Sequence, residues 1–174
     1  MGEEVILVNE KDEIFGYMDK LEAHKSGDLH RAISIFIFNK DNEMLIQRRA
    51  LSKYHTAGLW SNTACSHPRK NELTLEAANR RLIEEMGIST DLFFAFKFKY
   101  KSILNNNLIE NELDHVFYGF SDKKPEINLS EVCEYKYICK DDLDKLILIN
   151  PDLFTPWFKL IYDKVFRIIK KQYI

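Results

Sequence analysis

The amino-acid sequence predicts an α/β fold, and three observations support this prediction. Segments with the two-residue alternation of β-strands occur among segments with the 3.6-residue period of helices. No stretch rich in Pro, Gly or Ser divides residues 1–174, so a single compact domain is expected. The 174 residues suffice for one substantial core, and the 45% hydrophobic and 30% charged residues are typical of globular proteins.

The first half of the chain predicts two β-hairpins. The apolar run Glu4–Val8 and the segment Ile14–Met18 flank a polar turn, which is the pattern of the first hairpin. A polar, glycine-containing segment follows, which we expect to be a loop. The nearly continuous apolar strand Arg31–Asn39 then turns at residues 40–42 into Glu43–Arg49, which gives the second hairpin.

The middle of the chain predicts a loop and a helix. Residues 49–60 show no sustained period and are expected to form a loop over a pocket. Thr74 is expected to cap a helix that runs to Met86 and ends at Gly87.

The second half predicts strands and then helices. Residues Asp91–Ser102 alternate as a half-buried strand, with Phe94, Phe96 and Phe98 on one face, and a turn follows at residues 105–107. Residues 109–120 form the next strand. The remaining elements are a strand at Val132–Cys139, a helix at Lys140–Ile149 capped near Asp141, and a helix at Thr155–Lys171 that begins with Pro156.

The composition of the chain limits which binding partners and which cellular location are expected. The net charge of -2 gives no general attraction to nucleic acid or membrane surfaces. No run approaches the roughly 18 apolar residues of a membrane span, and the N-terminus lacks signal-peptide features, so a cytoplasmic protein without membrane insertion is expected. Cys65, Cys133 and Cys139 are an odd number of cysteines, which argues against a disulfide framework.

The chemistry is predicted to centre on residues 60–88. Cys65 and His67 lie two residues apart, and the helix that follows places Arg81 and Glu85 on one face, an arrangement that can hold a divalent cation beside a sulfur. Each residue also has a simpler interpretation. Cys65 can be a small buried apolar side chain, and Glu85 can be the partner of Arg81 in a helical ion pair.

Three carboxylates, those of Glu110, Glu112 and Asp114, are expected to face one way from a single strand. Their spacing alone favours a solvated strand face over a cation site. His24 and His30 are individually weak candidates, since a lone loop histidine is usually a surface residue. Combined with His67, Glu110 and Glu112 they form a nitrogen and oxygen set that suits Mn, Fe, Co or Zn.

Cations on four segments are either solvated surface charges or, if they converge, a phosphate clamp. These are Lys20, Arg49, Lys53 and Arg81. Trp157 has the default interpretation of a core aromatic residue.

Several motifs together resemble a known family. RRLIEEMGI resembles the tail of the Nudix box, with Glu72 as its early Glu, although Ser66 replaces a Gly and Arg81 replaces a metal-binding Glu. With RRALSK, TACSHP, IENE and TPW elsewhere, the sequence resembles the type I isopentenyl-diphosphate delta-isomerase family over nearly the whole chain. This resemblance implies a Nudix-type mixed β-sheet sandwiched between helices.

The resemblance also implies the site. It assigns a transition-metal ion (Mn, Zn or Fe) to His24, His30, His67, Glu110 and Glu112. It assigns Mg, bound with the substrate diphosphate, to Glu85 and the backbone carbonyl of Cys65. The substrate-binding residues it implies are Lys20, Arg49, Lys53, Ser66 and Arg81, and the catalytic residues are Cys65, Glu112, Tyr100 and Trp157.

The implied reaction interconverts isopentenyl diphosphate and dimethylallyl diphosphate through a tertiary carbocation, which needs a dry pocket and two titratable groups. Glu112 bonded to Tyr100 can be the acid and a tuned thiol the base, although the order of donation stays open. The only expected partner is this small allylic or homoallylic diphosphate, and the chain is expected to be a monomer or homodimer. Alternatives are a Nudix pyrophosphohydrolase, against which Arg81 argues, and a non-catalytic metal- or nucleotide-binding module.

Overall fold

The computed structural model describes residues 3–53, 55–104 and 107–172. A short 3₁₀ turn, Pro151–Leu153, precedes the last helix. The strands are β1 Glu4–Val8, β2 Ile14–Asp19, β3 His30–Phe38, β4 Met44–Arg49, β5 Trp60–Ser61, β6 Ala64–Ser66, β7 Leu92–Ile103, β8 Ile109–Phe120 and β9 Val132–Ile138. The helices are α1 Lys20–Ser26, α2 Thr74–Met86, α3 Lys140–Ile149 and α4 Pro156–Gln172.

Strand β3 is the centre of the mixed sheet. One edge pairs in parallel with β8 along the whole strand, from His30 opposite Glu112 to Phe38 opposite Phe120. The other edge pairs antiparallel with β1, β6 and β4 in turn. Strands β6 and β8 occupy opposite edges of β3. Side chains from both strands nevertheless line the same pocket.

The sheet lies between helices, as the resemblance implies. On one face, Ile33, Ile35 and Ile37 of β3 pack with Leu82 and Met86 of α2. On the other face, Phe36 and Phe38 pack with aromatic and aliphatic residues of α4, and the rings of Phe36 and Phe158 stack 6.2 Å apart. A strand covered by helices on both faces is expected to be continuously apolar, which explains the run ISIFIF.

The predicted hairpins, the last strand and the last helix are confirmed. Strands β1 and β2 pair antiparallel, and so do β3 and β4. In β4, Met44 and Ile46 enter one core and Leu45 enters the other, as the alternation predicts. Helix α4 begins at Pro156.

One predicted loop is partly helical. Residues Lys20–Ser26 form α1, capped by the Asp19 carboxylate, which accepts hydrogen bonds from the backbone N–H groups of Leu21 and Glu22. The helix ends at Gly27 with φ 73°. Seven residues are too few for a clear period, so its capping residues were the only local sign of it.

Two predicted caps are wrong by one or two residues. Leu73, rather than Thr74, is the N-cap of α2, and its backbone N–H donates to the Glu76 carboxylate at 3.1 Å. Cys139, rather than Asp141, is the N-cap of α3. The predicted stop at Gly87 is confirmed by its left-handed φ of 65°.

A β-bulge in β7 changes which aromatic residues share a face. Phe94 pairs with Phe117 and Phe96 pairs with Val116, so Ala95 is an extra residue. The bulge moves Phe94 to the opposite face from Phe96 and Phe98, against the prediction. Tyr100 stays on the face of Phe98, with the two rings 5.3 Å apart.

The predicted turn at residues 105–107 lies mainly outside the described residues, which omit Asn105 and Asn106. Tyr54, in the predicted loop over the pocket, is likewise outside them. Among the helices that the structure describes, none has both the length and the apolar character needed to cross a bilayer.

Candidate active site

The strand register places three site residues in one row. His30 at the start of β3 is directly opposite Glu112 in β8, and Glu112 is directly opposite Tyr100 in β7. The Tyr100 hydroxyl donates to Glu112 Oε2 at 2.6 Å and lies 3.3 Å from Glu110 Oε2. The sheet therefore fixes an imidazole, a carboxylate and a phenol side by side.

Three of the predicted metal-binding imidazoles surround Glu112. Its Oε1 atom lies 3.0 Å from Nε2 of His67, 3.5 Å from Nε2 of His30 and 4.0 Å from Nε2 of His24. The possible ligand atoms of these four buried residues all lie within 4.8 Å of one another. Glu110 belongs to an adjoining group with His24 and His55.

Backbone carbonyls fix the tautomers of two imidazoles. Nδ1 of His24 lies 2.6 Å from the Lys20 carbonyl, and Nδ1 of His30 lies 2.8 Å from the Asp28 carbonyl. Since a carbonyl only accepts, both Nδ1 atoms carry a proton, which leaves Nε2 of each ring as the nitrogen that can bind a metal. Burial lowers the pKa of His67 to about 3, which favours the neutral form of that ring.

The interpretation of Glu110, Glu112 and Asp114 as a solvated strand face is wrong. Their exposed fractions are 2%, 6% and 1%. Burial, followed by the charge of Glu112, raises the pKa of Glu110 and of Asp114 well above their usual ranges. Burial also raises the pKa of Glu112, but His30 and His67 outweigh it and hold that pKa well below its usual range.

The thiol lies on β6, on the opposite edge of β3 from Glu112. Cys65 pairs with Ser34, and its Sγ accepts from the Arg49 guanidinium at 3.7 Å. Burial raises the pKa of Cys65 to about 12, so the sulfur is a neutral thiol at pH 7. The other cysteines, Cys133 and Cys139, are also free thiols.

Trp157 packs in the core and also borders the pocket. Its indole N–H donates to Asn62 Oδ1 at 3.1 Å, and the Arg49 guanidinium lies 5.5 Å from its ring centroid. The default interpretation as a core aromatic residue and the predicted role at the site are therefore compatible.

The four predicted cations converge, and three of them pair with carboxylates. Lys20 pairs with Glu3 at 3.1 Å. Lys53 and Arg81 both pair with Glu131, the second at 2.9 Å. The four cations and Ser66 line one pocket, so the interpretation of Lys20, Arg49, Lys53 and Arg81 as scattered surface charges is wrong.

Glu85 is buried, with an exposed fraction of 3%, and it forms the predicted helical ion pair with Arg81 at 2.8 Å. Its other oxygen accepts from the Gln47 side chain at 2.7 Å. The pKa of Arg81 is raised above its usual range because Glu85 and Glu131 outweigh the lowering effect of burial. Arg81 lines the pocket in addition to pairing with Glu85.

One pocket therefore collects most of the predicted site. Its lining includes Lys20, Arg49, Lys53, Cys65, Ser66, His67, Arg81, Tyr100, Glu110, Glu112 and Trp157. His24 and His30 are fully buried beside it. Residues that the sequence did not single out for the site also line it, namely Glu3, Ile33, Ser34, His55 and Glu131. Of these five residues, only His55 has an imidazole side chain, which the sequence could have marked as a possible metal ligand in the segment RRALSKYHTAGLW.

A family model described as NUDIX domain matches residues 28–158. Curated relatives match nearly the whole chain. A protein of Pectobacterium atrosepticum named isopentenyl-diphosphate delta-isomerase is 48% identical over 93% of this chain and 90% of its own length. Isopentenyl-diphosphate delta-isomerase 2 of Photorhabdus laumondii is 49% identical over 94% of this chain and 92% of its own.

Solved structures show the same fold at low sequence identity. A Deinococcus radiodurans protein superposes with a TM-score of 0.71 at 20% identity, covering 84% of this chain and 90% of its own. A MutT protein from Methanosarcina mazei gives a TM-score of 0.65 at 19% identity, covering 82% of this chain and 96% of its own. The mixed sheet between helices is thus shared with these proteins.

Proposed function

This chain belongs to the NUDIX domain family and, within it, to the isopentenyl-diphosphate delta-isomerases, and from that premise we propose that its pocket interconverts isopentenyl diphosphate and dimethylallyl diphosphate. One observation carries the proposal. A thiol on β6 and a carboxylate on β8, on opposite edges of β3, line the same buried pocket as four cations. A hydrocarbon attached to a diphosphate needs this combination of charge and proton-transfer groups.

The diphosphate end of the substrate binds among the cations. Lys20 and Lys53 supply point charges, and Arg49 and Arg81 supply planar forks that match phosphate oxygens. In this structure Glu3 pairs with Lys20, and Glu131 pairs with Lys53 and Arg81, so substrate oxygens would replace these carboxylates as partners. Ser66, at the end of β6, adds a hydroxyl to the same wall.

The donor set fits a divalent metal. Buried imidazoles whose Nε2 atoms face a carboxylate form a ligand set that suits Mn, Fe or Zn. We assign this ion to His24, His30, His67, Glu110 and Glu112, and assign Mg to Glu85 and the Cys65 carbonyl. A bound divalent ion would withdraw electron density from Glu112 and so raise the acidity of its proton, and Mg would neutralise diphosphate charge.

Proton transfer falls to Cys65 and Glu112. The neutral thiol carries a proton, and Glu112, whose low pKa leaves it ionised, has a free carboxylate that can receive one. One group protonates the alkene and the other removes a proton from a neighbouring carbon. The reverse reaction exchanges the two roles, and Tyr100 holds Glu112 in place by its 2.6 Å hydrogen bond.

The intermediate is a tertiary carbocation that water would capture. Trp157 and Tyr100 form buried aromatic walls, with exposed fractions of 3% and 6%. An indole face stabilises a desolvated cation by about 2 kcal/mol. The Asn62 side chain accepts the indole N–H and thereby fixes the ring.

Nudix hydrolysis is the rival reaction within the fold, and Arg81 argues against it. Its guanidinium contacts Glu84, Glu85 and Glu131 at 2.8 to 2.9 Å. A cation at this position favours binding of the diphosphate over cleavage, because it replaces a carboxylate that would help to hold a water-activating metal.

Incubation of the metal-loaded protein with isopentenyl diphosphate in deuterated water distinguishes the three functions. We expect NMR to detect deuterium in the dimethylallyl diphosphate that forms. Release of phosphate without isomerisation would instead support a hydrolase. Tight substrate binding without any turnover would support a non-catalytic module.

Substitutions test the two proton-transfer groups. Cys65→Ala and Glu112→Gln should each lower kcat by about 10² to 10⁴-fold, the usual contribution of a general acid or base. Cys133→Ala is the matched control, because that thiol is exposed and outside the pocket. Circular dichroism and metal analysis establish that each variant is folded and loaded. Near-normal turnover in either variant would remove that residue from the mechanism.

A further inference from the structure

We propose that His55 is an additional ligand of the metal ion, beyond the five residues assigned above. The residue lies in the loop between β4 and β5, apart from the segments that supply the other ligands. The inference rests on the proposed metal centre, but it needs no assumption about which residue moves a proton.

The position of His55 supports this role. Its side chain has an exposed fraction of 8%, and its Nδ1 lies 3.8 Å from Glu110 Oε1. The ring stacks on that of His24, with centroids 5.7 Å apart and planes 30° apart. Possible ligand atoms of His24, His55 and Glu110 lie within 4.8 Å of one another.

The tautomer of His24 indicates one shared ion rather than two. His24 belongs both to the group around Glu112 and to the group with His55. Because its Nδ1 proton is directed to the Lys20 carbonyl at 2.6 Å, only Nε2 can bind a metal. A single lone pair serves a single ion, so both groups must surround the same one.

Tyr100 connects the two groups from the other side. Its hydroxyl lies 2.6 Å from Glu112 and 3.3 Å from Glu110, which holds both carboxylates toward one point. With His55 the donor set becomes four imidazoles and two carboxylates, the number that completes an octahedron. In this set His55 is the imidazole beside Glu110, and His24, His30 and His67 are the imidazoles beside Glu112.

A competing interpretation is that His55 only lines the substrate pocket. The Thr56 hydroxyl lies 3.1 Å from Nδ1 of His55, so this nitrogen already has a neutral partner. A hydroxyl can rotate its proton away when a metal arrives, so the contact does not block ligation. It does mean that the two interpretations must be separated by measurement.

The test is cobalt binding by the metal-free full chain. Isothermal titration gives affinity and stoichiometry, and the visible absorption of bound Co²⁺ reports its ligands. We expect one ion per wild-type chain. His55→Ala should weaken binding at least 10-fold and change the visible spectrum, and His55→Glu, which restores a ligand, should recover much of the affinity.

His115→Ala is the matched control. His115 is also buried, but it pairs with Asp12 at 2.9 Å and belongs to neither group. Its removal should leave the cobalt spectrum unchanged. Wild-type affinity and spectrum in folded His55→Ala would overturn the proposal, and so would two ions per wild-type chain. Absence of cobalt binding in the wild-type chain would instead overturn the proposed metal centre itself.

Discussion

The hydroxyl oxygen of Tyr100 is a single atom that positions two carboxylates of the candidate site. This hydroxyl is buried and contacts both Glu110 and Glu112. Burial, followed by the charge of Glu112, raises the pKa of Tyr100 well above its usual range, so the phenol remains a hydrogen-bond donor at any physiological pH. This donor keeps one carboxylate oxygen of Glu112 oriented while the other faces the imidazoles.

Tyr100→Phe should therefore lower kcat by about 10²-fold and change KM little, because the phenol contacts the proton-transfer group rather than the diphosphate. Steady-state kinetics with isopentenyl diphosphate measure both constants. Tyr162→Phe is the control, since that hydroxyl donates to Asp144 at 3.0 Å and is outside the pocket. Equal kcat values in the two variants would contradict the role given to Tyr100.

For individual residues, the sequence predicted the strand face on which a side chain lies better than it predicted whether that side chain is buried. The period of two placed Glu110, Glu112 and Asp114 on one face, and the structure confirms this. Their surroundings come from residues far away in the chain, such as His67 at Glu112 and Ser34 at Asp114, so local pattern could not supply their burial. His55 was missed because an irregular loop has no period that could show its direction.

At the scale of elements, the end of α2 depends on a glycine. Gly87 has φ 65°, and a Cβ at this position would lie 2.8 Å from Glu126 Cβ and 2.9 Å from the Glu126 carbonyl oxygen. Gly87→Ala should lower the free energy of unfolding by about 2 kcal/mol, through both backbone strain and the close contact. Urea unfolding monitored by circular dichroism measures the change.

Gly16→Ala is the control for that change. The nearest atom to a Cβ at Gly16 is Leu7 Cδ1 at 3.6 Å, an ordinary contact. We expect its unfolding midpoint to stay within the equivalent of about 0.5 kcal/mol of the wild type. Similar midpoints for Gly87→Ala and the wild type would show that the helix end tolerates a side chain.

Most elements were predictable because long periodic segments carry their own signal. β3 and α4 are examples, and Pro156 marked the start of α4. Short elements without a period were missed, namely α1, β5 and β6. The bulge at Ala95 was also missed, because an extra residue in one strand is visible only against its partner.

At the scale of the whole molecule, the buried imidazoles couple stability to pH. Burial lowers the pKa of His67 and of His55 to about 3, below the ordinary imidazole value of 6.5. At pH values between 6.5 and 3 the unfolded chain therefore binds protons that the folded chain excludes. The contribution of these two imidazoles to stability is fully present above pH 6.5 and is lost as the pH falls through this window.

For the metal-free protein we expect each such imidazole to remove roughly 1 kcal/mol per pH unit within that window. Urea midpoints at pH 7 and pH 5 measure the loss. His67→Gln should show a shallower pH dependence than the wild type, because one titrating group is gone. Equal pH dependence of the midpoint in His67→Gln and in the wild type would contradict the assignment of a neutral, buried His67.

The parallel pairing of β3 with β8 has a consequence for how the protein folds. No segment shorter than residues 24–112 contains the whole cluster of His24, His30, His67 and Glu112. The register that sets His30 opposite Glu112 joins distant parts of the chain, and such contacts carry a large loop-closure entropy. This cluster, which could hold a metal, therefore has no local precursor, and it is complete only when β3 and β8 have paired.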